Sequence, residues 1–281
     1  MMKEQTMPVT VPWVASAPSR TEPLVMMTAY DYSQARLVDD SGVDITLVGD
    51  SLAMVMLGYE DTLSVTMEEM LHHVRAVRRG TKRALLVADM PYGSFHLGGD
   101  QVIENALRFV KEGGAQAVKI EGPRPEVVRF LMAAEVPVMA HLGLTPQSIH
   151  RFGGFRVQGL GREAREALLA AAIELEEAGA FSLVLECVPA DLAAEVTSAL
   201  TIPTIGIGAG PHCNGQVLVF HDLLGLEDRL APKFVRRYAE LGEQAGQAIR
   251  QFAADVREGR YPSLDESYDD PTLERIRKIY G

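Results

Sequence analysis

Four acidic residues follow apolar, strand-like runs of this sequence at the points where the runs end. Asp50 follows the run that begins at Thr46, and the other three end runs of the same kind: Asp89, Glu121 and Glu186. An ionised carboxylate beside apolar surface is costly unless a cation or a hydrogen-bond donor pairs with it. Several such acids facing one point would form a site for a divalent cation and a carbonyl substrate.

Asp50 and Asp89 are the candidate metal ligands. Carboxylates without a histidine or cysteine cluster favour a hard cation, and Mg²⁺ leaves positions open for water and substrate oxygens. An α-keto acid could fill two such positions with its carboxylate and keto oxygens. The competing interpretation is that each aspartate caps a helix or pairs with an arginine. Ser51 likewise either binds a substrate carboxylate or caps a turn.

Lys119 lies within an apolar strand, where an unpaired lysine is rare. It either pairs with Glu121, holds an anionic substrate oxygen or forms a Schiff base; a metal site argues against the last role. His141 either donates to a substrate oxygen or orients an acid, unless it is only a core histidine. Glu186, after its apolar strand, is the candidate general base unless it forms a salt bridge. Cys187 is a weaker candidate, as a nucleophile, because no base lies at suitable spacing.

Strands and helices that alternate along the chain must position these side chains. Eight such strands favour a (β/α)8 TIM barrel, in which all strand C-termini converge on one face; an open doubly wound sheet is the alternative. Side chains alternate along a strand, so Lys119 shares a face with Glu121, and Val184 shares one with Glu186. The predicted strands cover residues 24–28, 46–51, 84–89, 117–121, 138–141, 181–186, 204–207 and 217–220.

The 281 residues are expected to form one barrel domain with an added segment at each end. Residues 1–22 form an arm or a cap on the barrel, and residues 259–281 form a charged tail. Residues 142–161 show neither helical nor strand periodicity and are predicted to be a functional loop, such as a lid. Helices are predicted at residues 33–40, 66–79, 101–112, 126–134, 162–178, 190–200, 234–258 and 272–279.

The composition excludes several classes of function. A net charge of −11 and a pI of about 5.2 argue against non-specific nucleic-acid binding. The chain contains two cysteines, no apolar targeting segment near residue 1 and no run long enough to span a bilayer. A cytoplasmic protein that does not bind membranes is therefore expected.

Seven motifs in order give the chain a specific resemblance to the ketopantoate hydroxymethyltransferases, from about residue 28 to about residue 233. The glycine-rich motif near residue 206 is, by itself, either a phosphate site or close backbone packing. The seven motifs are Thr28-Ala29-Tyr30-Asp31, Val48-Gly49-Asp50-Ser51, Ala88-Asp89-Met90-Pro91, Lys119-Ile120-Glu121-Gly122, His141-Leu142-Gly143-Leu144-Thr145-Pro146-Gln147, Leu185-Glu186-Cys187-Val188-Pro189 and Gly206-Ile207-Gly208-Ala209-Gly210.

The resemblance implies a (β/α)8 barrel enzyme of pantothenate synthesis. It implies Mg²⁺, a ketoacid substrate (3-methyl-2-oxobutanoate), 5,10-methylenetetrahydrofolate as the one-carbon donor, and a homo-oligomer, in this family a decamer. Asp50 and Asp89 would be metal ligands, and Glu121 would act through a metal-bound water. Ser51 and Lys119 would contact the ketoacid, and Glu186 would be the base.

Two other functions compete with this expectation. A related metal-dependent barrel lyase or mutase would act on a phosphonate or a 2-methylcitrate-like acid without folate. A catalytically inactive barrel would only bind a ligand or partner, but the presence of all the acidic candidates and of Lys119 speaks against lost catalysis.

Overall fold

Residues 7–227 and 232–268 are described by a computed structural model, and they are organised around a closed barrel of eight parallel strands. Each strand pairs with the next, and the last pairs with the first. The predicted (β/α)8 barrel is therefore confirmed, and the open-sheet alternative is wrong. The strands are β1 (Leu24–Thr28), β2 (Ile45–Val48), β3 (Leu85–Asp89), β4 (Ala117–Glu121), β5 (Val138–Gly143), β6 (Ser182–Glu186), β7 (Thr204–Ile207) and β8 (Gly215–Leu218).

Helices follow or flank these strands, and the helix that begins at Met67 has a capping box at its start. The Thr66 side chain accepts a hydrogen bond from the Glu69 N–H, and the Glu69 carboxylate accepts one from the Thr66 N–H, which forms a capping box. The helices are α1 (Val11–Ala15), α2 (Tyr32–Asp40), α3 (Leu52–Val55), α4 (Met67–Gly80), α5 (Gly99–Arg108), α6 (Pro125–Ala133), α7 (Ile149–Phe152), α8 (Arg162–Glu177), α9 (Ala190–Ala199), α10 (Phe220–Leu224) and α11 (Leu241–Arg257). In the described ranges, none of them has both the length and the apolar character to cross a bilayer.

The last strand differs from its predicted range of 217–220. It begins at Gly215, where an added Cβ would lie 2.8 Å from the Leu24 carbonyl oxygen, so a larger residue could not pair this closely with β1. It ends before Phe220, whose N–H donates to the Thr28 hydroxyl at 2.9 Å and starts α10. Asp222 therefore lies on a helix.

The helix predicted over 234–258 begins later, at Leu241. Before it, the Tyr238 N–H donates to the Leu223 carbonyl at 2.8 Å, which ties this part of the chain to α10 instead of to a helical turn. The final predicted helix, 272–279, lies outside the described residues.

The barrel interior explains how the strands aim their polar ends. Val87, Ala117, Met139 and Val184 pack inside the barrel in one buried apolar cluster. Since side chains alternate along each strand, the residues two positions further on also face the interior, at the C-terminal mouth. This arrangement agrees with the prediction that Lys119 shares a face with Glu121 and that Val184 shares one with Glu186.

The described part of the N-terminal segment closes the opposite end of the barrel. Val9, Val14 and Ala17 are buried in the same interior cluster as Leu24. The Val9 N–H donates to the Arg83 carbonyl at 2.8 Å, just before β3 begins.

Residues 142–161 contain more regular structure than the predicted loop. β5 extends to Gly143, a 3₁₀ turn covers Pro146–Ser148, and α7 follows it. The Gln158 N–H donates to the Cys187 carbonyl at 2.9 Å, so the segment is anchored beside the end of β6.

Asp39 offers a test of how the barrel is held together. Its buried carboxylate accepts from the N–H groups of Lys82, Arg83 and Ala84 at 3.1, 3.0 and 2.8 Å, joining the end of α2 to the start of β3. Asp39→Ala leaves these donors unpaired and is expected to lower the free energy of unfolding by about 3 kcal/mol. Urea denaturation would measure this loss, with Asp40→Ala at the exposed neighbour as the control. Equal stabilities for the two variants would contradict the prediction.

Candidate active site

The register of the strands places the predicted residues side by side at the mouth of the barrel. Asp89 on β3 stands opposite Lys119 on β4, and Glu121 stands opposite His141 on β5. Glu186 ends the neighbouring strand, β6. Four strands that are adjacent in space therefore deliver five ionisable side chains to one region.

Three of the acids form a compact buried cluster that suits a metal ion. Asp50, Asp89 and Glu121 each offer an oxygen, and these oxygens lie within 4.8 Å of one another. The residues are only 4%, 1% and 4% exposed, respectively. The Asp50 N–H also donates to Asp89 Oδ2 at 3.3 Å, so the two aspartates are linked directly. A buried set of oxygen ligands is the donor chemistry that Mg²⁺ prefers.

Lys119 provides a positive charge inside this cluster. Its Nζ atom lies 2.9 Å from Asp89 Oδ1 and 3.6 Å from Glu121 Oε1. Burial lowers the pKa of Lys119, but the carboxylates of Asp89, Glu121 and Asp50 outweigh that effect and hold the pKa above its usual value. These contacts favour the charged ammonium over the neutral amine that a Schiff base requires.

The pKa values of the acids show that the negative charge is only partly balanced. Burial, followed by the charges of Asp89 and Glu121, raises the pKa of Asp50 well above its usual value. Burial also raises the pKa of Asp89, although Lys119 opposes it. For Glu121, burial acts upward, but Lys119 and His141 outweigh it and the pKa is lowered. A divalent cation beside the two aspartates would favour their ionised forms.

His141 connects this cluster to Glu186. Its Nδ1 atom lies 3.3 Å from Glu121 Oε1, and its Nε2 atom lies 3.2 Å from Glu186 Oε2. Burial and Lys119 lower the pKa of His141, but the contacts with the two glutamates prevail and raise it to about 9. Lys119 Nζ also lies 3.2 Å from Nδ1, a contact that suits a neutral ring. We assign the protonated ring, because both nitrogens face carboxylates.

Glu186 is placed differently from the other acids. Its side chain keeps 17% of its surface exposed, whereas the Glu121 side chain keeps 3%. Its carbonyl accepts from the Leu144 N–H at 2.8 Å, and this close contact requires Gly143, where an added Cβ would lie 2.1 Å from the same oxygen. Glu186 therefore reaches the open side of the site while its backbone is held by β5.

Gln147 is a site residue that the sequence reasoning missed. Its side-chain N–H₂ donates to Asp50 Oδ2 at 2.9 Å and to the Met90 carbonyl at 3.0 Å. Its backbone N–H donates to Glu121 Oε2 at 3.0 Å. A single residue thus positions two of the three clustered acids. The available signal was an amide side chain in the segment that follows β5 at the mouth of the barrel.

Tyr30 is a second residue without a predicted role. Its hydroxyl lies 2.8 Å from the Ser51 hydroxyl, and its ring is fully buried. Burial raises the pKa of Tyr30, so the phenol remains protonated and can hydrogen-bond to Ser51. Ser51 precedes α3 but makes no side-chain capping bond to it, so its hydroxyl is oriented by Tyr30.

Cys187 has neither the environment nor the partner of a nucleophile. Burial, followed by the charge of Glu186, raises the pKa of its thiol to about 11. Its backbone lies in the left-handed region with φ of 47°, which is unusual outside glycine. This conformation turns the chain at the end of β6.

The glycine-rich motif after β7 provides close packing. Gly208 has φ of 64°, and an added Cβ would lie 2.7 Å from the ring of Phe234. An added Cβ at Gly210 would lie 2.4 Å from the Ala190 Cβ. The packing interpretation therefore accounts for both positions.

A cavity of about 740 Å³ opens beside the acids. Glu186 and Ser51 line it together with residues from the 142–161 segment. The cavity is large enough for a drug-sized molecule.

The high thiol pKa of Cys187 leads to a chemical test. At pH 8 the thiolate fraction is about 100-fold lower than for a thiol whose pKa is 9. We expect alkylation of Cys187 by iodoacetamide to be slow at pH 8 and to become faster as the pH rises toward 11. Mass spectrometry of a Cys213→Ser variant would measure the rate. A rate equal to that of glutathione at pH 8 would contradict this environment.

Comparison with known structures finds the same fold in other enzymes. A 2,3-dimethylmalate lyase of the PEP mutase/isocitrate lyase superfamily aligns with a TM-score of 0.58 at 17% identity, over 96% of this chain and 95% of its own. A phosphonopyruvate hydrolase, solved in complex with oxalate and Mg²⁺, aligns with a TM-score of 0.59 at 16% identity, over 96% of each chain. At these identities the likeness concerns the fold alone.

Sequence comparison gives a closer relationship. A Koribacter versatilis protein named 3-methyl-2-oxobutanoate hydroxymethyltransferase is 55% identical over 92% of this chain and 90% of its own length. A Clostridium novyi protein of the same name is 51% identical over 95% and 98%. The family model for ketopantoate hydroxymethyltransferase matches residues 8–264. With the acids, the lysine and the barrel arranged as described, the chain belongs to the ketopantoate hydroxymethyltransferase family.

Proposed function

We propose that this enzyme transfers a hydroxymethyl group from 5,10-methylenetetrahydrofolate to 3-methyl-2-oxobutanoate, giving ketopantoate for pantothenate and coenzyme A synthesis. The observation that carries the proposal is the placement of Glu186 beside a buried three-acid cluster at the mouth of the barrel. Active sites of such barrels lie at this face.

Asp50 and Asp89 are the proposed Mg²⁺ ligands, and Glu121 is the proposed acid that contacts the ion through water. Their oxygens fit the ion in number and type, and their unbalanced charge fits its sign. When bound, Mg²⁺ would supply positive charge that stabilises negative charge developing on the keto oxygen of the substrate.

Glu186 is the proposed base that removes the proton at C3 of the ketoacid. Its position at the partly open end of the cluster gives it access to a substrate, and His141 Nε2 holds one of its oxygens. The other oxygen is then available to accept the proton. The resulting enolate carbon forms a bond to the methylene carbon of the folate as the bond from that carbon to one folate nitrogen breaks. Water then replaces the second folate nitrogen on the same carbon, which supplies the hydroxyl of ketopantoate and releases tetrahydrofolate.

Ser51 and Lys119 are the proposed contacts of the ketoacid, with His141 close by. Tyr30 orients the Ser51 hydroxyl, and the charged Lys119 ammonium supplies donors for an anionic oxygen. Ser51 lines the cavity together with Glu186, and Lys119 contacts Asp89 and Glu121 of the acid cluster.

The 142–161 segment is proposed to exclude bulk water from the enolate. It carries Gln147 into the acid cluster and lines the cavity with Phe155 and Val157. Its hydrogen bond from Gln158 to Cys187 holds it near Glu186. Water exclusion would protect the enolate from reprotonation before the carbon–carbon bond forms.

The assembly and the location are further parts of the proposal. The exposed apolar residues Ile249, Phe252 and Val256 on α11 support a homo-oligomer, which we propose to be a decamer. Both cysteines are free thiols, which supports a reducing, cytoplasmic compartment.

Replacing the proposed base tests its role directly. Glu186→Gln is expected to lower kcat by about 10²- to 10⁴-fold, because the amide cannot accept the proton. Ketoacid binding, measured by calorimetry in the presence of Mg²⁺, is expected to change little. Glu163→Gln on exposed α8 is the control and should turn over at the wild-type rate. If the Glu186 variant kept near-wild-type turnover, the assignment of the base would be wrong.

The metal assignment predicts a change in thermal stability. A ligand at 100 times its Kd stabilises the folded state by about 2.7 kcal/mol, so Mg²⁺ is expected to raise the Tm of the wild-type protein. Asp50→Asn and Asp89→Asn should lose most of this rise, and Asp40→Asn should keep it. If both site variants kept the rise in Tm, the ion would have to bind elsewhere in the protein.

A further inference from the structure

The cavity is larger than the proposed ketoacid needs. A five-carbon acid beside Glu186 and Ser51 would occupy a small part of about 740 Å³. The remaining space extends from these residues toward α10 and toward the chain that follows the described residue Pro232. It is therefore continuous with the reaction centre and has room for a second, larger substrate.

The walls of this remaining space suit a flat ring system. Phe155 and Val157 line one side and are 48% and 51% exposed, so apolar surface faces the opening. Phe234, which packs against Gly208, and Ile207 at the end of β7 line another side. Apolar surfaces of this kind favour stacking and burial of an aromatic heterocycle.

Asp222 supplies a polar group to this largely apolar wall. It lies on α10 and lines the cavity. Its charge also acts on Tyr30, whose hydroxyl contacts Ser51, so the carboxylate lies on the side of the reaction centre. Burial, followed by the charge of Glu227, raises the pKa of Asp222 to about 6. A carboxylate in such surroundings is stabilised by a ligand that brings N–H donors.

Two cations stand at the outer part of the same cavity. Arg156 lies on the 142–161 segment, and Lys233 lies next to Phe234. Both side chains are exposed, so they can pair with anionic groups that remain partly in solvent. Besides Glu186, the cavity thus presents apolar walls, two cations and the carboxylates of Asp222, Glu60 and Glu227.

We propose that this cavity is the folate subsite, with Asp222 pairing with the pyrimidine edge of the pteridine ring. That edge carries a ring N–H and an amino group side by side, which match the two oxygens of a carboxylate. The aminobenzoyl group would lie along Phe155 and Phe234, and the glutamate carboxylates would reach Arg156 and Lys233. The assignment rests on the proposed function, because it locates the co-substrate of that reaction.

The test separates folate binding from ketoacid chemistry. Asp222→Asn and wild type are compared in tetrahydrofolate binding by calorimetry and in the KM for 5,10-methylenetetrahydrofolate. In the same preparations, NMR follows deuterium exchange at C3 of 3-methyl-2-oxobutanoate with Mg²⁺ and without folate. The variant is expected to raise the folate Kd and KM about tenfold or more, because it replaces a charged acceptor by an amide. Its exchange rate is expected to equal that of wild type.

Glu227→Gln is the matched variant, because Glu227 lines the same cavity. It is expected to change folate binding much less than Asp222→Asn. Wild-type folate binding in Asp222→Asn, with exchange intact, would overturn the subsite and leave the proposed function standing. Loss of both C3 exchange and folate binding in that variant would also overturn the subsite, since the residue would then act on the whole site. A wild-type protein that neither exchanges C3 nor binds tetrahydrofolate would overturn both proposals.

Discussion

The crowding of like charges at the ends of adjacent parallel strands is the constraint on which this site depends. A closed barrel brings strand ends together, so acids that are far apart in sequence become neighbours whose repulsion must be balanced. Lys119 contacts Asp89 and Glu121, and Gln147 donates to Asp50. Neither group offsets the cost of burying these acids, so burial, followed for Asp50 by the neighbouring carboxylates, holds the pKa values of both aspartates above their usual values. In the proposed metal site, the uncompensated charge that costs stability in the free protein would provide affinity for a divalent cation.

Much of this arrangement could be predicted from the sequence because strand alternation is a strict geometric rule. Apolar runs gave the strands, and the residue two positions after an interior-facing one also faces the interior at the mouth. Lys119 and Glu121 therefore had to share a face, and the structure places both inside the barrel. Periodicity alone did not decide whether these side chains are structural or catalytic. The proposed chemical roles came from the family motifs.

The remaining features depend on contacts that no local pattern encodes. Gln147 reaches the acids only because a 3₁₀ turn after β5 points it inward, and Tyr30 reaches Ser51 across 21 residues of sequence. The boundaries of β8 and α11 are set by partners elsewhere in the chain, such as the Thr28 hydroxyl that receives the Phe220 N–H. Propensity predicted a longer helix at 234–258, but tertiary hydrogen bonds replaced its first turns.

The cap formed by Val9, Val14 and Ala17 has a kinetic consequence. Because these side chains fill the lower end of the barrel, a ligand that reaches the acid cluster would have to enter and leave through the mouth. The three clustered acids are buried, whereas Ser51 and Glu186 next to them line the cavity, so a folate in the proposed subsite would cover a ketoacid bound at the cluster. If both proposals hold, the arrangement favours a compulsory order, in which the ketoacid binds before the folate and tetrahydrofolate departs before ketopantoate. At high concentration, folate would accordingly inhibit the enzyme by binding to molecules that have no ketoacid and forming a dead-end complex.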